Sequence, residues 1–423
     1  MRLRAPGPDR DGLRVERRRV QAQPAHGRLG APAAGRCTSV RVVIAPDAYK
    51  ESLPAPEVAA QIEAGFRQVF PHWDYRQVPM ADGGEGTVDA LIAATGGRRT
   101  ECTVSGPRGT PVQAFFGMTG DGRTAVIEMA AASGLALLPP AQRAPLLTST
   151  AGVGELILAA LDAGARQLIL GIGGSATNDG GAGMAQALGV RLLDAHGLPI
   201  GPGGGALAAL AHVEVDGLDP RLPHCRIEVA CDVDTPLVGP TGASAVFGPQ
   251  KGATPAMVAR LDANLQHYAD VLQRALGVRL HTLPGAGAAG GLGAGLVAFL
   301  GAQLCPGVEL VAQALGLEAA IAQADLVITG EGRLDGQSAR GKTPVGVAQL
   351  AQRHGIPVIA IAGSIGHAAA QLHGHGIDAM FAVVPGACTL EQALADAAGN
   401  VRRAARNVAA AVQLGGTLVQ RPA

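Results

Sequence analysis

The chain has 423 residues, of which 48% are hydrophobic and 16% charged, and its formal net charge is zero. This length allows about two domains with a large core, and this composition excludes a disordered or disulfide-stapled protein. Aromatic residues make up only 3%, and beyond residue 40 the chain carries 25 basic and 31 acidic residues, which argues against a nucleic-acid-binding protein.

Residues 1–40 differ from the rest, because they hold nine arginines against three acidic residues. They show no hydrophobic periodicity and lack the apolar core of a signal peptide. We expect residues 1–39 to be a disordered extension or a mis-assigned start, with a transit peptide or a basic tail as alternatives. Ordered sequence is expected from about residue 40.

Short β-branched runs and helical patterns alternate along the following part of the chain. Residues 40–45 and 75–80 predict strands. Between them, Ser52 is placed to cap a helix that ends before Pro71. A short helix is predicted at residues 88–94.

The middle of the chain mixes two patterns. Turn signals at residues 106–109 and 120–122 divide residues 98–129 into short strands, which predicts an antiparallel meander. The further elements predicted here are helices at 152–164 and 255–276 and strands at 167–172 and 226–230.

Strands and helices alternate most regularly in the last third. Strands are predicted at residues 325–329, 357–361 and 379–384, and a helix at 389–414 closes the chain. Such alternation implies a parallel sheet with helices on both faces. The predicted fold class is therefore α/β, with a doubly wound parallel sheet of Rossmann or flavodoxin type.

Two features bear on location. Six cysteines are scattered without a CxxC pair, which favours reduced thiols and a cytoplasmic protein over a zinc site or a disulfide framework. The uncharged stretch 282–308 is long enough for a transmembrane helix, but its prolines and glycines favour a glycine-rich loop that leads into a buried helix. We therefore expect no membrane partner.

Polar or glycine-rich loops follow six of the predicted strands. Ligands of doubly wound sheets bind beyond the carboxyl ends of the strands, so these loops form the candidate site. Five of them carry carboxylates, which can hold Mg²⁺ or accept a proton, and glycines let backbone N–H groups approach an anion. These are the parts that phosphoryl transfer needs. The loops are residues 46–50, 82–87, 173–181, 231–234, 330–335 and 362–364.

Lysine is rare, since only Lys50, Lys251 and Lys342 accompany the arginines. Codon bias toward arginine explains why lysine is rare, and the three lysines that remain all lie in predicted loops. Solvated lysines placed by chance are the alternative to lysines that bind a phosphate or a carboxylate. For Lys251, a purely structural role of its loop is a further alternative.

Two glycine motifs match nucleotide-binding patterns by spacing. Residues 285–290 fit G-x-G-x-x-G with Glu309 downstream, but Pro284 interrupts the required step from strand to turn. Residues 336–343 fit the Walker A pattern, but residues 330–335 separate them from the preceding strand. With 61 glycines in the chain, we expect both matches to be accidental, while the second loop is still expected near phosphate.

Seven segments in chain order resemble the bacterial type-1 glycerate kinase family. They are APDAYKESL (45–53), PMADGGEGT (79–87), GGSATNDGGAGM (173–184), ACDVD (230–234), FGPQKGAT (247–254), PGAGAAGG (284–291) and ITGEGRLD (328–335). The resemblance covers residues 41 to about 412. Ala48 departs from the family, which usually has a serine there, so this chain lacks the hydroxyl that the resemblance implies at this position, while Asp47 and Lys50 remain.

The resemblance implies ATP-dependent phosphorylation of D-glycerate with Mg²⁺, in a cleft between two α/β domains, one inserted in the other. We place the parallel α/β domain at residues 40–80 and 287–415. The inserted α/β domain, which contains the antiparallel hairpins, is placed at residues 81–286. The family is associated mainly with the 2-phosphate product, and the 3-phosphate stays an alternative. A homo-oligomer is left open.

The roles of single residues are hypotheses at this stage. Asp179 or Asp232 would accept the proton, and Lys50 would act beside them as a catalytic cation. Mg²⁺ would be held by Asp82, Asp234 and Glu331. The residues predicted to bind substrate or ATP are Asp47, Ser175, Asn178, Arg333, Lys342, Gly173, Gly174, Gly287 and Gly290.

Three alternative functions stay open. An NAD-dependent hydroxy-acid dehydrogenase would use the glycines at 285–290 and no ATP. A non-catalytic ligand-binding α/β protein would bind without turnover. A P-loop nucleotidase would hydrolyse ATP without glycerate.

Overall fold

The computed structural model describes residues 39–419 except residues 85 and 337. The segment predicted as an extension, residues 1–39, lies outside the described residues apart from Ser39. The strands are β1 Arg41–Pro46, β2 Asp74–Gln77, β3 Arg98–Ser105, β4 Pro111–Met118, β5 Thr124–Glu128, β6 Gln167–Gly171, β7 Arg191–Leu193, β8 His212–Glu214, β9 Arg226–Ala230, β10 Gln303–Cys305, β11 Leu326–Gly330, β12 Arg333–Leu334, β13 Val358–Ala362, β14 Ser364–Ile365 and β15 Ala379–Ala382.

Helices connect most of these strands. They are α1 Ala55–Arg67, α2 Thr87–Thr95, α3 Ala130–Ser133, α4 Ala151–Asp162, α5 Ala182–Ala187, α6 Ala243–Phe247, α7 Pro255–Leu276, α8 Ala288–Leu300, α9 Gly307–Ala314, α10 Leu317–Ile321, α11 Thr343–Arg353, α12 Leu390–Ala395 and α13 Ala397–Val419.

The first sheet has five parallel strands in the order β15-β13-β11-β1-β2. Successive residues of a strand point to opposite faces, so the side chains of β1 pack into two different hydrophobic clusters. Val42 and Ile44 pack with helices α1 and α13, and Val43 and Ala45 pack with α9, α10 and α11. This two-sided burial confirms the predicted parallel α/β fold.

The second sheet has six strands in the order β10-β9-β6-β5-β4-β3. Strands β5, β6, β9 and β10 are parallel, whereas β3, β4 and β5 pair antiparallel, which confirms the meander. Helices α4, α5 and α8 cover one face through Leu156, Met184 and Leu292. Val126 and Ile169 on the other face share a core with α2 and α9, which also pack on the first sheet.

Both sheets lie in one compact unit of the chain that begins at Ser39. Residues before 81 and after 325 build the first sheet, and the residues between them build the second. Strand β10 lies beyond residue 286 and still pairs with the second sheet. The division into two domains at the stated boundaries stays a prediction.

Two local predictions are wrong. Ser52 does not cap helix α1, which begins after Pro54. Its hydroxyl instead donates to the carbonyl of Tyr49 and closes a turn. The closing helix is two helices, because the chain bends at Asp396 between α12 and α13.

The uncharged stretch at 282–308 forms a loop and helix α8, whose 13 residues are mostly buried. Within the described residues, no helix combines the length and the apolarity needed to cross a membrane. The expected loop followed by a buried helix is confirmed.

Candidate active site

A cavity of about 670 Å³ lies where the carboxyl ends of strands from both sheets meet. The first sheet contributes Lys50, from the loop after β1, and Asp82, from the loop after β2. The second sheet contributes loops after β5, β6 and β9, as expected for parallel strands. Of the residues predicted for the site, those that line the cavity are Lys50, Asp82, Gly173, Gly174, Ser175 and Asp232.

The loop that carries Asp82 is fixed against the second sheet by close backbone contacts. Gly83 has φ +84°, and a Cβ there would overlap the side chain of Ala230. Likewise, a Cβ on Gly307 would overlap the carbonyl oxygen of Asp82. Gly84 donates its N–H to Asp82 Oδ1 at 3.0 Å. These contacts hold the Asp82 carboxylate at the junction of the two sheets.

Asp232 follows strand β9 and is anchored by the first residue of helix α9. The N–H of Gly307 donates to Asp232 Oδ1 at 2.8 Å. Asp232 is exposed where it lines the cavity, yet desolvation by the surrounding loops raises its pKa to about 6. The negative charge of Asp82 adds to this shift, while the hydrogen bond from Gly307 opposes it. A carboxyl with such a pKa beside an open cavity suits proton transfer near neutral pH.

Asp47 and Glu331 lie together at the ends of the neighbouring strands β1 and β11. Asp47 accepts hydrogen bonds from the Thr343 hydroxyl and the Ala48 N–H, both at 2.7 Å. Desolvation raises the pKa of Asp47 to about 7, and the charges of Asp82 and Glu331 contribute. Asp47 does not itself line the cavity.

Glu331 is also buried, and desolvation raises its pKa. It accepts a hydrogen bond from Ser338 at 2.6 Å, and Lys342 Nζ lies 3.8 Å from its other oxygen. Lys342 thus pairs with a carboxylate, at the start of helix α11 as the sequence predicts. Neither residue lines the cavity.

Arg333 and Asp234 lie outside the cavity lining. The Arg333 side chain is 69% exposed and forms an ion pair with Asp335 at 3.2 Å. Asp234 is exposed in the loop after β9. Their predicted binding roles stay predictions.

Asp179 and Asn178 lie behind the cavity wall, fully buried. Asp179 accepts hydrogen bonds from the N–H and hydroxyl of Thr150 and from the N–H groups of Gly181 and Gly183. Burial raises its pKa against the effect of these bonds. Asn178 donates to Ser244 Oγ at 3.0 Å. The contacts on Asp179 hold the glycine-rich loop, and between the two candidate proton acceptors the geometry favours Asp232.

Gly287 and Gly290 pack against backbone instead of opening to the cavity. A Cβ on Gly287 would overlap the carbonyl of Pro236, and a Cβ on Gly290, which has φ +68°, would overlap that of Thr177. The two alanines between them, at 288 and 289, do line the cavity. The predicted contact of both glycines with ligand stays a prediction.

Mg²⁺ is the metal that the family resemblance implies. No group of three His, Cys, Asp or Glu side chains arranged for a metal occurs in the described part of the chain. Mg²⁺, however, is usually held by one or two carboxylates together with substrate phosphates and water. The charge of Asp82 raises the pKa values of Asp47, Asp232 and Glu331, so it lies within a cluster of carboxylates. This donor set fits a divalent cation.

Two charged residues of the cavity are absent from the set predicted for the site. Glu128 ends strand β5, and its Oε1 accepts the N–H of Val88 at 2.9 Å. The sequence did not indicate Glu128 as a site residue, because the turn signals around β5 suggested only antiparallel pairing. In the structure β5 also pairs with β6 in parallel, so its carboxyl end lies at the cavity. Lys251 stands out in the sequence by its rarity and by its place in the segment FGPQKGAT, and it lines the cavity with Gln250. The remaining lining includes Phe115, Leu135, Ile172 and Phe247.

Comparison with known proteins gives consistent matches. The model of the glycerate kinase family matches residues 42–413. A glycerate kinase of Bacillus subtilis (strain 168) is 59% identical over 379 residues, which are 90% of this chain and 99% of that protein. A glycerate 2-kinase of Escherichia coli (strain K12) is 57% identical over 376 residues, 89% of this chain and 99% of that protein.

A solved structure matches as well. The crystal structure of a Salmonella typhimurium LT2 protein assigned as glycerate kinase 2 has a TM-score of 0.83 and 58% sequence identity with this chain. The match covers 90% of this chain and 100% of that one.

Proposed function

Since the chain belongs to the glycerate kinase family, we propose that it transfers the terminal phosphoryl group of ATP to a hydroxyl of D-glycerate, with the 2-phosphate favoured over the 3-phosphate as product. Family membership makes the chain a kinase. A dehydrogenase or a non-catalytic binding protein would be an exception within this family. The nucleotide, the metal and the position of transfer are the parts proposed here.

The cavity between the two sheets carries this proposal. It brings cationic, carboxylate and glycine-rich groups to one place, namely Lys50 and Lys251, Asp82 and Asp232, and the loop 173–175. Phosphoryl transfer needs little covalent chemistry from the protein and relies on positioning and charge neutralisation. The volume of the cavity lies in the range of small-molecule sites.

We assign Asp232 as the proton acceptor. Its pKa of about 6 leaves it ionised at neutral pH, yet basic enough to take the proton of the attacking hydroxyl. The hydrogen bond from Gly307 orients the carboxylate from one side and leaves its other oxygen for the substrate. Asp179 would instead position the loop of residues 173–183.

Cations and backbone N–H groups would bind the anionic parts of the two substrates. Lys50 reaches the cavity from the first sheet, and Gly173 and Gly174 form its floor on the second. Gly174 has φ +72°, a backbone conformation that glycine adopts readily and that turns the chain around the cavity. Arg333 and Lys342 would serve the outer part of the nucleotide.

Mg²⁺, when bound with the nucleotide, supplies the positive charge that offsets charge building on the phosphates. Asp82 would hold it, with Asp47 or Glu331 as the nearest further carboxylates. This role accounts for a carboxylate whose charge raises the pKa values of its neighbours. Asp234 does not line the cavity, so its assignment to the metal stays a prediction.

A coupled assay of ADP release with and without D-glycerate tests the proposal. We expect ADP release that requires both D-glycerate and Mg²⁺, and ³¹P NMR of the product should show the 2-phosphate. ATP hydrolysis at the same rate with and without D-glycerate would favour a nucleotidase. Turnover of NADH, or tight glycerate binding without any ADP, would contradict the proposal.

We also propose that the protein acts on its small-molecule substrate without a nucleic-acid or membrane partner, and that it does so in the cytoplasm. The thiols of Cys102, Cys225, Cys231, Cys305 and Cys388 are free, consistent with the reduced state expected from the sequence. A homo-oligomer stays a prediction, and size-exclusion chromatography with light scattering tests it.

A further inference from the structure

Lys251 is a buried cation in the wall of the cavity. It follows helix α6 in a single helical turn, and only 2% of its surface is exposed. Its ammonium donates to Ser175 Oγ at 3.0 Å and to the carbonyl of Thr177 at 2.6 Å. Both acceptors are neutral, and no ion pair within the described residues includes Lys251. Burying such a charge is costly unless a counter-charge compensates it.

The carboxylate that acts on Lys251 electrostatically is already engaged by other donors. Asp179 acts on Lys251 electrostatically, yet its two oxygens accept four hydrogen bonds from Thr150, Gly181 and Gly183. It makes no hydrogen bond to the ammonium. The positive charge of Lys251 is therefore left for a group that enters the cavity.

Ser175 lines the cavity beside this charge. A hydroxyl can accept two hydrogen bonds and donate one. Ser175 Oγ accepts from Lys251 Nζ and from the N–H of Thr177 at 3.2 Å, so both acceptor positions are used. Its proton has only weak protein acceptors, Thr177 O and Thr177 Oγ1, both at 3.3 Å. Toward a ligand, Ser175 can act only as a donor.

We propose that Lys251 is a positioning residue that makes the Ser175 hydroxyl a hydrogen-bond donor to an anionic oxygen, either the carboxylate of glycerate or a phosphate of the nucleotide. The proposal rests on the proposed function and adds to it the means by which the second sheet recognises negative charge. Ser175 would touch the substrate, and Lys251 would act through it.

The protonation of Lys251 sets the direction of this hydrogen bond. Burial lowers the pKa of Lys251 to about 7, with Asp179 opposing the shift. Above that pH the neutral amine can accept the proton of Ser175, and the donor toward the cavity is lost. Asp179 acts on Lys251 electrostatically, and Tyr268 is buried within reach of the charge of Asp179. The other ionisable groups that line the cavity are Lys50, Asp82, Glu128, Cys231 and Asp232.

Steady-state kinetics against pH provides the first test. We expect the KM of one substrate to rise about tenfold between pH 7 and pH 9, with a smaller change in kcat, because a hydrogen bond to a charged group is lost. Ser175→Ala should raise that same KM about tenfold at pH 7 and remove its dependence on pH. Ser175→Thr keeps the hydroxyl and should restore a value near that of the wild type.

The substrate affected identifies the anion. A rise in the KM of D-glycerate assigns the contact to the carboxylate, and a rise in the KM of ATP assigns it to a phosphate. Lys251→Arg keeps the charge at all these pH values and should flatten the profile, whereas Lys251→Met should behave like Ser175→Ala. A profile unchanged by Ser175→Ala, or a loss confined to kcat, would overturn the proposal.

NMR gives a second test that does not depend on turnover. Because the chain has three lysines, protein labelled with ¹³C at lysine Cε should show three signals, and Lys251→Arg identifies the one to follow. We expect this signal to titrate near pH 7 and its pKa to rise by about one unit when D-glycerate or ADP is added. A signal that ignores both additions, in a protein that turns over D-glycerate, overturns the inference and leaves the proposed function intact. A protein with neither turnover nor binding overturns both.

Discussion

Carboxylates of similar type occupy very different surroundings in this site. Asp179 accepts four hydrogen bonds from the protein, Asp232 accepts one and lines the cavity, and Asp47 is held by a threonine hydroxyl and one backbone N–H. The sequence placed all three at strand ends and could not rank them, because burial and partners depend on segments far apart in the chain. The pKa values of Asp47 and Asp232, about 7 and about 6, follow from that environment.

Replacing the proposed proton acceptor should slow the chemical step. Asp232→Asn keeps the shape and the hydrogen bond from Gly307 but cannot accept a proton. We expect kcat to fall about 10²- to 10⁴-fold with little change in the KM of either substrate. Asp216→Asn, at an exposed aspartate of the loop between β8 and β9, is the matched control and should keep full activity. A fall in kcat of less than about threefold would remove Asp232 from this role.

Asp47 should make folding stability depend on pH in an identifiable window. Its folded-state pKa of about 7 exceeds its ordinary value of 3.8, so between these pH values the folded protein holds a proton that the unfolded chain releases. Stability from this group is therefore lost as pH rises toward 7. Asp47→Asn should be more stable than the wild type at pH 8, by about 2 °C or more in Tm, and equal or less stable at pH 5.

Thermal unfolding followed by circular dichroism at the two pH values measures this difference. If the Tm values of the two proteins change in parallel between pH 5 and pH 8, ionisation of Asp47 does not lower the stability of the folded protein.

At the scale of elements, the sequence predicted which loops lie at strand ends. It did not predict which residues of these loops line the cavity and which pack behind it. Short β-branched runs identified the parallel strands, and the rule that ligands lie beyond their carboxyl ends selected the loops with Lys50, Asp82 and Asp232. Glu128 was missed because β5 belongs to a hairpin and to a parallel pair at once. Gly287 and Gly290 matched a nucleotide motif by spacing, whereas their space is taken by backbone from distant loops.

Gly290 supports the loop that holds Lys251. It has φ +68° and touches the carbonyl of Thr177, the same carbonyl that accepts from Lys251. Gly290→Ala should destabilise the protein by about 1–3 kcal/mol beyond the cost of positive φ alone, because the added methyl displaces this carbonyl. It should also raise the KM of the substrate that is sensitive to Ser175→Ala.

Gly301→Ala is the control for this variant. Gly301 ends the same helix with φ +62°, and a Cβ added there would meet no atom within 4 Å. Gly301→Ala therefore introduces the strain of a positive φ without a steric overlap. Chemical denaturation of both variants separates the two effects. Equal losses of stability would show that the contact with Thr177 is unimportant.

At the scale of the whole molecule, two sheets share one cavity and part of one core. Val126 and Ile169 of the second sheet join helices α2 and α9 in the cluster that also buries Val43 and Val327 of the first. The alternating pattern of the sequence predicted both sheets. It could not predict that β10 would return to the second sheet, because three residues carry too little pattern to assign a partner.

Residues 1–38 are expected to be dispensable. The family match begins at residue 42, and the Bacillus subtilis relative is matched over 99% of its own length by 90% of this chain. A variant that starts at Ser39 should keep kcat, both KM values and Tm within experimental error. A loss of more than about 1 kcal/mol of stability, or a loss of about tenfold in kcat/KM, would assign these residues a role in the folded enzyme.

The placement of β1 between β2 and β11 also sets an order of assembly. Ala45 accepts a hydrogen bond from the hydroxyl of Thr329, which lies 284 positions further along the chain. At ribosomal rates of about 5–20 residues per second, β1 waits roughly a quarter of a minute to a minute for this neighbour. During synthesis, one edge of a buried apolar strand stays unpaired while the second sheet is made. The nascent chain thus depends on protection of that edge until translation has passed β11, and slow synthesis of the middle segment should favour aggregation.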